Sequence, residues 1–145
     1  MNGIRGVTER QVRYLNDLLD NMNEVFYTYD LEGKLTYVNK KCLETTGYLL
    51  EEMLGHYGWD FIPERYKEIF RDATVKRLKE SPARASYLIT VQKKDGSERI
   101  LRLNASPIVD NGAVLGEMVL AEDETERRQA EKTLKKNNIL MQMMQ

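Results

Sequence analysis

Residues 85–121 read ASYLITVQKKDGSERILRLNASPIVDNGAVLGEMVLA, and the fold class follows mainly from their pattern. It contains three segments rich in aliphatic and β-branched residues, at 85–93, 98–109 and 113–121. The segments are separated by Asp95-Gly96 and Asn111-Gly112, dipeptides that are typical of tight β-hairpin turns. The sequence therefore predicts three consecutive antiparallel strands.

Two shorter strands are predicted upstream, at 25–30 and 34–38, with Leu31-Glu32-Gly33 as the turn of a hairpin. Between this hairpin and the last three strands the pattern is helical: Asn39 is a suitable N-cap, and Pro63 can open a longer helix that ends near Ser81-Pro82. This order is typical of an α+β fold, a five-stranded antiparallel sheet with helices on one face.

Amphipathic helices are predicted to flank this body. Thr8 and Gln11 form a capping-box pattern, and a helix over residues 9–23 follows. Its apolar stripe consists of Val12, Leu15, Leu19 and Met22. The stripe has two interpretations: the helix is a lid over the domain's own core, or it pairs with a second copy of the chain.

The charged tail has the spacing of a short heptad seam at Arg127, Ala130, Leu134, Asn137, Met141 and Met144. A seam of this length is marginal alone, so we expect it to pair with a second copy or to continue into a further domain. The expected organisation is an N-terminal flanking helix at 1–24, a central domain at 25–123 and the start of a coiled coil at 124–145.

Composition limits the possible partners. The chain has 145 residues, with 22 Lys and Arg against 23 Asp and Glu, so no basic excess indicates nucleic acid. Cys42 is the single cysteine, and the N-terminus lacks the apolar run of a signal peptide or membrane span. We expect a cytoplasmic protein without direct membrane insertion.

Several short motifs follow one another in order along the body. They are Asp30-Leu31-Glu32-Gly33, Tyr37-Val38-Asn39, Thr46-Gly47-Tyr48, Met53-Leu54-Gly55, Trp59-Asp60-Phe61-Ile62-Pro63-Glu64, Lys94-Asp95-Gly96-Ser97, Gly116, and Asp123-x-Thr125-Glu126-Arg127. In this order they resemble the PAS family of sensor domains over about residues 15–128. The resemblance implies a PAS-like fold whose central domain senses a stimulus.

Asp123 and Thr125 stand where the last strand is expected to meet the tail helix. Their short oxygens can accept hydrogen bonds from nearby backbone N–H groups, as in a plain helix cap. Similarity to PAS domains implies a second role, coupling of the sheet to the output helix, and both interpretations stay open. The family usually has an aliphatic residue between these two, whereas this chain has Glu124, which we expect to face solvent or to be ion-paired.

Aromatic residues of the first strand and the helical segment are expected to face a shared interior. They form either a filled core or the wall of a small cavity for a planar or apolar ligand. The candidate ligand-binding residues are Phe26, Thr28, Tyr48, Trp59, Phe61, Tyr66, Phe70, Thr90, Leu101, Leu103, Asn104 and Met118.

Neither haem nor flavin is expected as a cofactor. Haem-binding PAS domains are known for a histidine on the long helix, and residues 63–80 contain none, since the lone His56 lies in a glycine-flanked loop. Cys42 lies in Asn-Lys-Lys-Cys-Leu-Glu, unlike the Asn-Cys-Arg-Phe-Leu-Gln context of the flavin-adduct branch, and is interpreted as a buried small hydrophobe. No metal-ligand spacing is present in the sequence.

We expect a non-enzymatic sensor or regulatory domain, because one histidine and few serines leave little for a catalytic couple. Its C-terminal helix is expected to act on an output domain, a histidine kinase or a cyclic-dinucleotide enzyme, and its flanking helices to form a homodimer. The alternative is a ligand-free PAS-like module whose task is dimerisation. A haem or flavin sensor is a third and less favoured possibility.

Overall fold

A computed structural model of the protein describes residues 8–80 and 83–145. The helices are α1 (Glu9–Asp20), α2 (Lys40–Thr46), α3 (Leu50–Met53), α4 (Glu64–Glu80) and α5 (Thr125–Met143), with a 3-10 turn at Gly58–Phe61. The strands are β1 (Val25–Asp30), β2 (Leu35–Val38), β3 (Ala85–Gln92), β4 (Glu98–Asp110) and β5 (Ala113–Asp123).

The strands form one antiparallel sheet in the order β2-β1-β5-β4-β3. The predicted α+β fold with five antiparallel strands and flanking helices is confirmed. β5 lies in the centre, where Val119 is opposite Tyr27 of β1 and Ala105 of β4. The first and last segments of the sheet therefore meet at β5, the strand that leads into α5.

The core lies between one face of the sheet and the helices that follow β2. Every second residue of the strands points into it, among them Val25, Leu103 and Val119, and the helical segment contributes Cys42 and Phe61. Leu103 and Val119 are 0% exposed. The domain therefore has a core of its own that needs no contribution from either terminal helix.

Two glycines allow close approaches that a side chain would prevent. Gly33 has a φ of +90°, and a Cβ there would lie 2.5 Å from Cζ3 of Trp59, so the indole packs directly on the hairpin turn. At Gly116 a Cβ would collide with the carbonyl oxygen of Tyr29 on the neighbouring strand. Gly116 thus lets β1 and β5 pair beside the interior.

Helix α1 does not cover the core, because none of its residues is buried. Its apolar stripe is open to solvent, with Leu15 54% exposed. The helix is attached at its C-terminal end, where the Asn39 Nδ2 donates to the Leu19 carbonyl at 2.9 Å and Asp20 accepts from the Lys40 N–H at 3.0 Å. The lid interpretation is therefore wrong for the first half of the helix, where Val12 and Leu15 are exposed, whereas Leu19 and Met22 are partly buried.

Helix α5 leaves the sheet one residue after β5 ends, and Thr125 is its only buried residue. Its apolar side chains farther along are exposed, including Leu134 and Met141. None of the helices in residues 8–80 and 83–145 is long and apolar enough to cross a membrane.

Candidate functional site

A small cavity of about 50 Å³ lies between the sheet and the helical segment. Its wall is almost entirely apolar and is formed by residues of the sheet and of the helical segment. Four of the predicted ligand-binding residues line it: Trp59, Phe61, Phe70 and Leu101. The interior is therefore nearly filled, and the predicted aromatic wall is present in part.

Four other candidates lie on the opposite, outer face of the sheet, which corrects the expectation that they face the interior. They are Phe26, Thr28, Asn104 and Met118. Phe26 packs near Tyr37, and the Thr28 hydroxyl lies 2.7 Å from that of Thr36. Since side chains alternate along a strand, the inward positions of β1 are instead Val25, Tyr27 and Tyr29.

The remaining four candidates lie elsewhere. Leu103 is fully buried in the core without lining the cavity, and Tyr48 packs edge-on against Phe61 at 5.0 Å between ring centroids. Tyr66 and Thr90 line an outer groove between α4 and β3, which shares Phe70 and Ile89 with the cavity wall. None of these four residues lines the cavity, although Tyr48 contacts Phe61 of its wall.

A buried polar cluster beside the cavity was missed by the sequence reasoning. Glu117 of β5 is 0% exposed, and one of its oxygens, Oε1, accepts from the Tyr29 hydroxyl at 2.5 Å and from Arg77 at 2.9 Å. Arg77 of α4 also donates to the hydroxyls of Tyr29 and Tyr87, at 2.9 and 3.1 Å. The cluster fastens the long helix to the centre of the sheet.

Burial determines the protonation of this cluster. Loss of solvent raises the pKa of Tyr29 and of Tyr87, so both remain hydroxyl donors at neutral pH. Burial alone lowers the pKa of Arg77, but its bond to Glu117 and the nearby tyrosines outweigh that effect and raise it. Glu117 Oε2 and the Thr74 hydroxyl are buried without a hydrogen-bond partner in the described chain.

The signal for the cluster was present in the sequence. Glu117 is the one charged residue within the apolar run 113–121, and it is directly opposite Tyr29 in the β1–β5 register. A carboxylate in the middle of a central strand is seldom buried without a cationic partner. The partner, Arg77, is on a helix whose rotation the sequence does not specify.

The cavity is smaller than one that accepts a small aromatic ligand. An apolar cavity that accepts benzene has a volume of about 150 Å³, whereas the volume here is about 50 Å³. Cys42 lines this cavity, and burial raises its pKa to about 12, so the thiol is not an activated nucleophile. His56 lies outside the cavity wall, where its carbonyl accepts from the Leu35 N–H at 2.8 Å.

The junction of β5 and α5 contains a second polar network, which we call the exit junction: Arg99, Ile100, Asp123, Glu124, Thr125 and Glu126. Asp123 Oδ1 accepts from the Thr125 N–H at 2.9 Å, and Asp123 Oδ2 accepts from Arg99 at 2.8 Å. The Thr125 hydroxyl accepts from the Ile100 N–H at 2.8 Å. Thr125 therefore bonds to β4 and not to its own helix, so the junction is more than a helix cap.

Glu124 is ion-paired at the first position outside α5. It is 7% exposed and contacts three arginines: Arg128 at 2.9 Å, Arg127 at 2.7 Å and Arg102 at 3.6 Å. These contacts hold the pKa of Glu124 below its usual value, with the Arg128 bond as the largest cause. The residue that departs from the family pattern thus joins the helix to β4 by charge.

No group of three or more His, Cys, Asp or Glu side chains that could hold a metal ion occurs in residues 8–80 and 83–145. The two polar clusters are therefore built from ion pairs and hydrogen bonds within the chain.

Comparison with known proteins agrees with this architecture. The family model described as PAS fold matches residues 19–129. The sensor protein kinase WalK of Staphylococcus aureus is 25% identical over 126 residues, which cover 86% of this chain and 28% of that protein. The chain thus spans less than a third of the length of this curated relative.

Solved structures show the same fold. The PAS domain of an HTR-like protein from Haloarcula marismortui superimposes with a TM-score of 0.67 at 19% identity, covering 80% of this chain and 99% of that one. An RNA-binding light-oxygen-voltage receptor has a TM-score of 0.76 at 20% identity, covering 95% of this chain and 40% of that one. The PAS fold is sensory and non-catalytic. The chain belongs to the PAS fold family of sensor domains, and it is related to the sensor regions of histidine kinases.

Proposed function

We propose that this domain passes a change in its interior or at its surface to an output module through α5. The observation that supports this is the exit junction, because the start of α5 is bonded to β4 by side chains from both elements. Ile100 and Thr125 are linked by a direct hydrogen bond, and Arg99 contacts both Asp123 and Glu126. A displacement of β4 relative to β5 therefore changes the direction or the fraying of the first helical turn.

The proposed output module is a histidine kinase or, as a second choice, a cyclic-dinucleotide enzyme. Relationship to WalK supports the kinase, and a catalytic part that follows α5 in a longer chain fits the short span of the match. The division into 1–24, 25–123 and 124–145 remains our proposal for the organisation, and the free cysteine Cys42 suits a cytoplasmic domain.

The test is a chimera in which this chain is fused through α5 to a histidine kinase and phosphorylation is measured. Asp123→Ala with Thr125→Ala removes the contact of Asp123 with Arg99 and the hydrogen bond of Thr125 with the Ile100 N–H, and it is expected to abolish regulated output or to lock it, while the fold is retained. Because the physiological stimulus is not known, regulation is driven by the cavity-filling substitution Ile89→Phe, which replaces a residue lining the cavity.

The chain offers a matched control for this experiment. Asp95 Oδ1 accepts from the Ser97 N–H at 2.9 Å and from its hydroxyl at 2.5 Å, the same local bonds that Asp123 makes with Thr125. Asp95→Ala with Ser97→Ala therefore removes the same local hydrogen bonds in the turn between β3 and β4, and kinase output should remain at the parental level. Equal effects of the two double substitutions contradict a coupling role for the exit junction.

A ligand-free dimerisation module is the second candidate function, and the small volume of the cavity favours it. The open stripes on α1 and α5, with Leu15 54% and Leu134 63% exposed, supply the surfaces for a homodimer through the flanking helices. Native mass spectrometry of the purified protein distinguishes the two functions. A co-purifying small molecule supports the ligand sensor, and bare dimers support the dimerisation module.

A further inference from the structure

The two edge strands of the sheet, β2 and β3, differ in whether other segments of the chain cover their outer backbone groups. The outer edge of β2 is covered, since the Leu35 N–H donates to the His56 carbonyl at 2.8 Å and the Gly55 N–H donates to the Leu35 carbonyl at 2.9 Å. Lys34 and Tyr57 form a further bridge there. In the described residues, β3 pairs with β4 alone, so its other edge presents free backbone N–H and C=O groups.

The sequence of β3 lacks the usual protection of an exposed edge. Natural edge strands are commonly short, or contain charged residues and proline that prevent pairing with another chain. The strand Ala85–Gln92 has eight residues, ASYLITVQ, without a charge, proline or glycine. An unprotected edge of this length is suited to accept another strand.

An open groove of about 590 Å³ runs along this edge, between β3 and α4. Apolar side chains on both sides of it are exposed to solvent: Ile69 is 73% exposed, Tyr66 45% and Leu88 37%. Ile69 and Tyr66 lie on α4, on the side that the core leaves uncovered. The groove thus combines a row of backbone groups with apolar side walls.

The charges in the groove have one sign. Arg77 and Arg128 line it, and no Asp or Glu is among the described residues that do so. Arg77 contacts Tyr87, whereas Arg128 shares the groove with Ile100, the residue opposite Thr90 in β4. Tyr87 and Thr90 are three residues apart, about 10 Å along a strand, so the arginines mark two ends of the groove.

We propose that this groove binds an extended peptide segment of a partner protein, apolar in its centre and acidic at its ends, which adds to the sheet as a sixth strand beside β3. The free edge of β3 favours a peptide over a small ligand, because an added strand can form hydrogen bonds with a continuous row of N–H and C=O groups. Carboxylates at its ends approach the two arginines, which are paired within the chain with Glu117 and Glu124.

Binding of such a segment has a consequence for the exit junction. Arg128 donates to Glu124 at 2.9 Å, and Glu124 lies at the start of α5. A peptide carboxylate that contacts Arg128 competes with Glu124 for this guanidinium. A partner in the groove therefore acts on the same helix that the proposed function uses for output, although the binding itself does not depend on that function.

The test uses the whole chain and a fluorescently labelled peptide, Glu-Val-Val-Val-Glu, followed by fluorescence anisotropy. Its two glutamates are about 13 Å apart in an extended strand, close to the separation of the two ends of the groove. Saturable binding is expected. Replacing the glutamates by lysines, or the central valine by proline, is expected to weaken binding by about tenfold or more, since each removes a charge contact or a backbone donor. Hydrogen exchange should show new protection of the backbone amides of β3.

Ile69→Glu places an acid on the apolar wall at a highly exposed position and should weaken binding by about tenfold or more without affecting folding. Leu115→Glu, at a position 52% exposed and outside the groove, is the matched control and should bind as the parent does. Failure of the peptide to bind at about 1 mM, or equal binding of all three peptides, overturns the proposal. Binding of decanoate in the groove without binding of the peptide also overturns it, and assigns the groove to a small amphipathic anion.

Discussion

The turn Asp95-Gly96-Ser97 and the exit Asp123-Glu124-Thr125 have the same local geometry and different surroundings. In both, the aspartate accepts from the backbone N–H two residues later at 2.9 Å. The Asp95 side chain is 66% exposed, and its one ion pair, to Lys93, measures 3.9 Å. Asp123 is 23% exposed and contacts Arg99 at 2.8 Å, and Thr125 bonds to Ile100 of β4.

The difference shows what separates a turn from a junction. The local bonds follow from a short polar side chain near a backbone donor, and any Asp-x-Ser or Asp-x-Thr turn can make them. The bonds to Arg99 and Ile100 join residues that are distant in sequence, so a perturbation of β4 reaches α5 through them.

Glu117 depends entirely on partners that are distant in sequence, and its side chain is fully buried. Arg77→Met leaves a buried carboxylate without its cation and is expected to cost about 3–5 kcal/mol of unfolding free energy. Adding Glu117→Leu to this variant should recover most of the loss, because two apolar groups replace the pair. Urea unfolding measures both, and an Arg77→Met variant as stable as the parent contradicts the structural role of the pair.

Asp123→Ala and Asp95→Ala compare the two turns directly. The first removes hydrogen bonds to Thr125 and Arg99, and we expect a cost of about 1–2 kcal/mol. The second removes bonds that solvent replaces, so a smaller cost is expected. Thermal unfolding of the two variants measures the difference, and equal costs mean that the remote contacts add nothing to stability.

The comparison also predicts a pH dependence. Burial alone raises the pKa of Asp123, but the bonds from Arg99 and Thr125 outweigh it and hold this pKa below the ordinary value of 3.8. Since the folded pKa is the lower one, the carboxylate stabilises the fold above the unfolded pKa, and this contribution is lost as pH falls through the folded pKa.

The difference in melting temperature between the parent and Asp123→Asn should therefore be constant from about pH 7 to pH 5 and should shrink below about pH 4. Asp95→Asn is the control. Its pKa is also lowered, by Ser97, but its side chain is 66% exposed, so the expected difference is smaller at every pH. A difference for Asp123→Asn that does not change with pH contradicts the charge contact with Arg99.

The flanking helices are expected to show the smallest effect on stability, together with a change in assembly. Leu15→Glu with Leu134→Glu alters side chains that are 54% and 63% exposed, so unfolding should change by less than about 0.5 kcal/mol. Sedimentation at roughly 100 µM, well above the Kd of a standard interface, should show a dimer for the parent and a monomer for the variant. A parent that is monomeric at this concentration contradicts dimerisation through these helices.

The sheet could be predicted from the sequence because its signals are local. Asn111 and Gly112 set one hairpin, Asp95 and Gly96 set another, and the order of strands and helices then left an α+β sheet as the simplest arrangement. The exit residues Asp123 and Thr125 were also recognisable, since they stand at the change from strand to helix.

The lining of the interior could be predicted only in part. An alternating strand does not show which of its two faces is inward, and hydropathy alone favours Phe26 over Tyr27 and Tyr29 as the inward residue. The structure turns Tyr29 inward, where Arg77 and Glu117 satisfy its hydroxyl. That arrangement depends on the rotation of α4, which rests on packing between distant segments and not on any local pattern.

Hydrogen exchange on Thr125→Val tests most directly whether the start of α5 is held by its bond to β4. The substitution keeps the shape of the side chain and removes the hydroxyl that accepts from the Ile100 N–H. Loss of one such bond costs about 1 kcal/mol, so the amides of Ile100 and of residues 126–130 should exchange roughly fivefold faster. The amides of β1 should remain unchanged, and Ser97→Ala should leave α5 as it is in the parent. Unchanged exchange in α5 of Thr125→Val, or an equal acceleration across the whole sheet, contradicts the account.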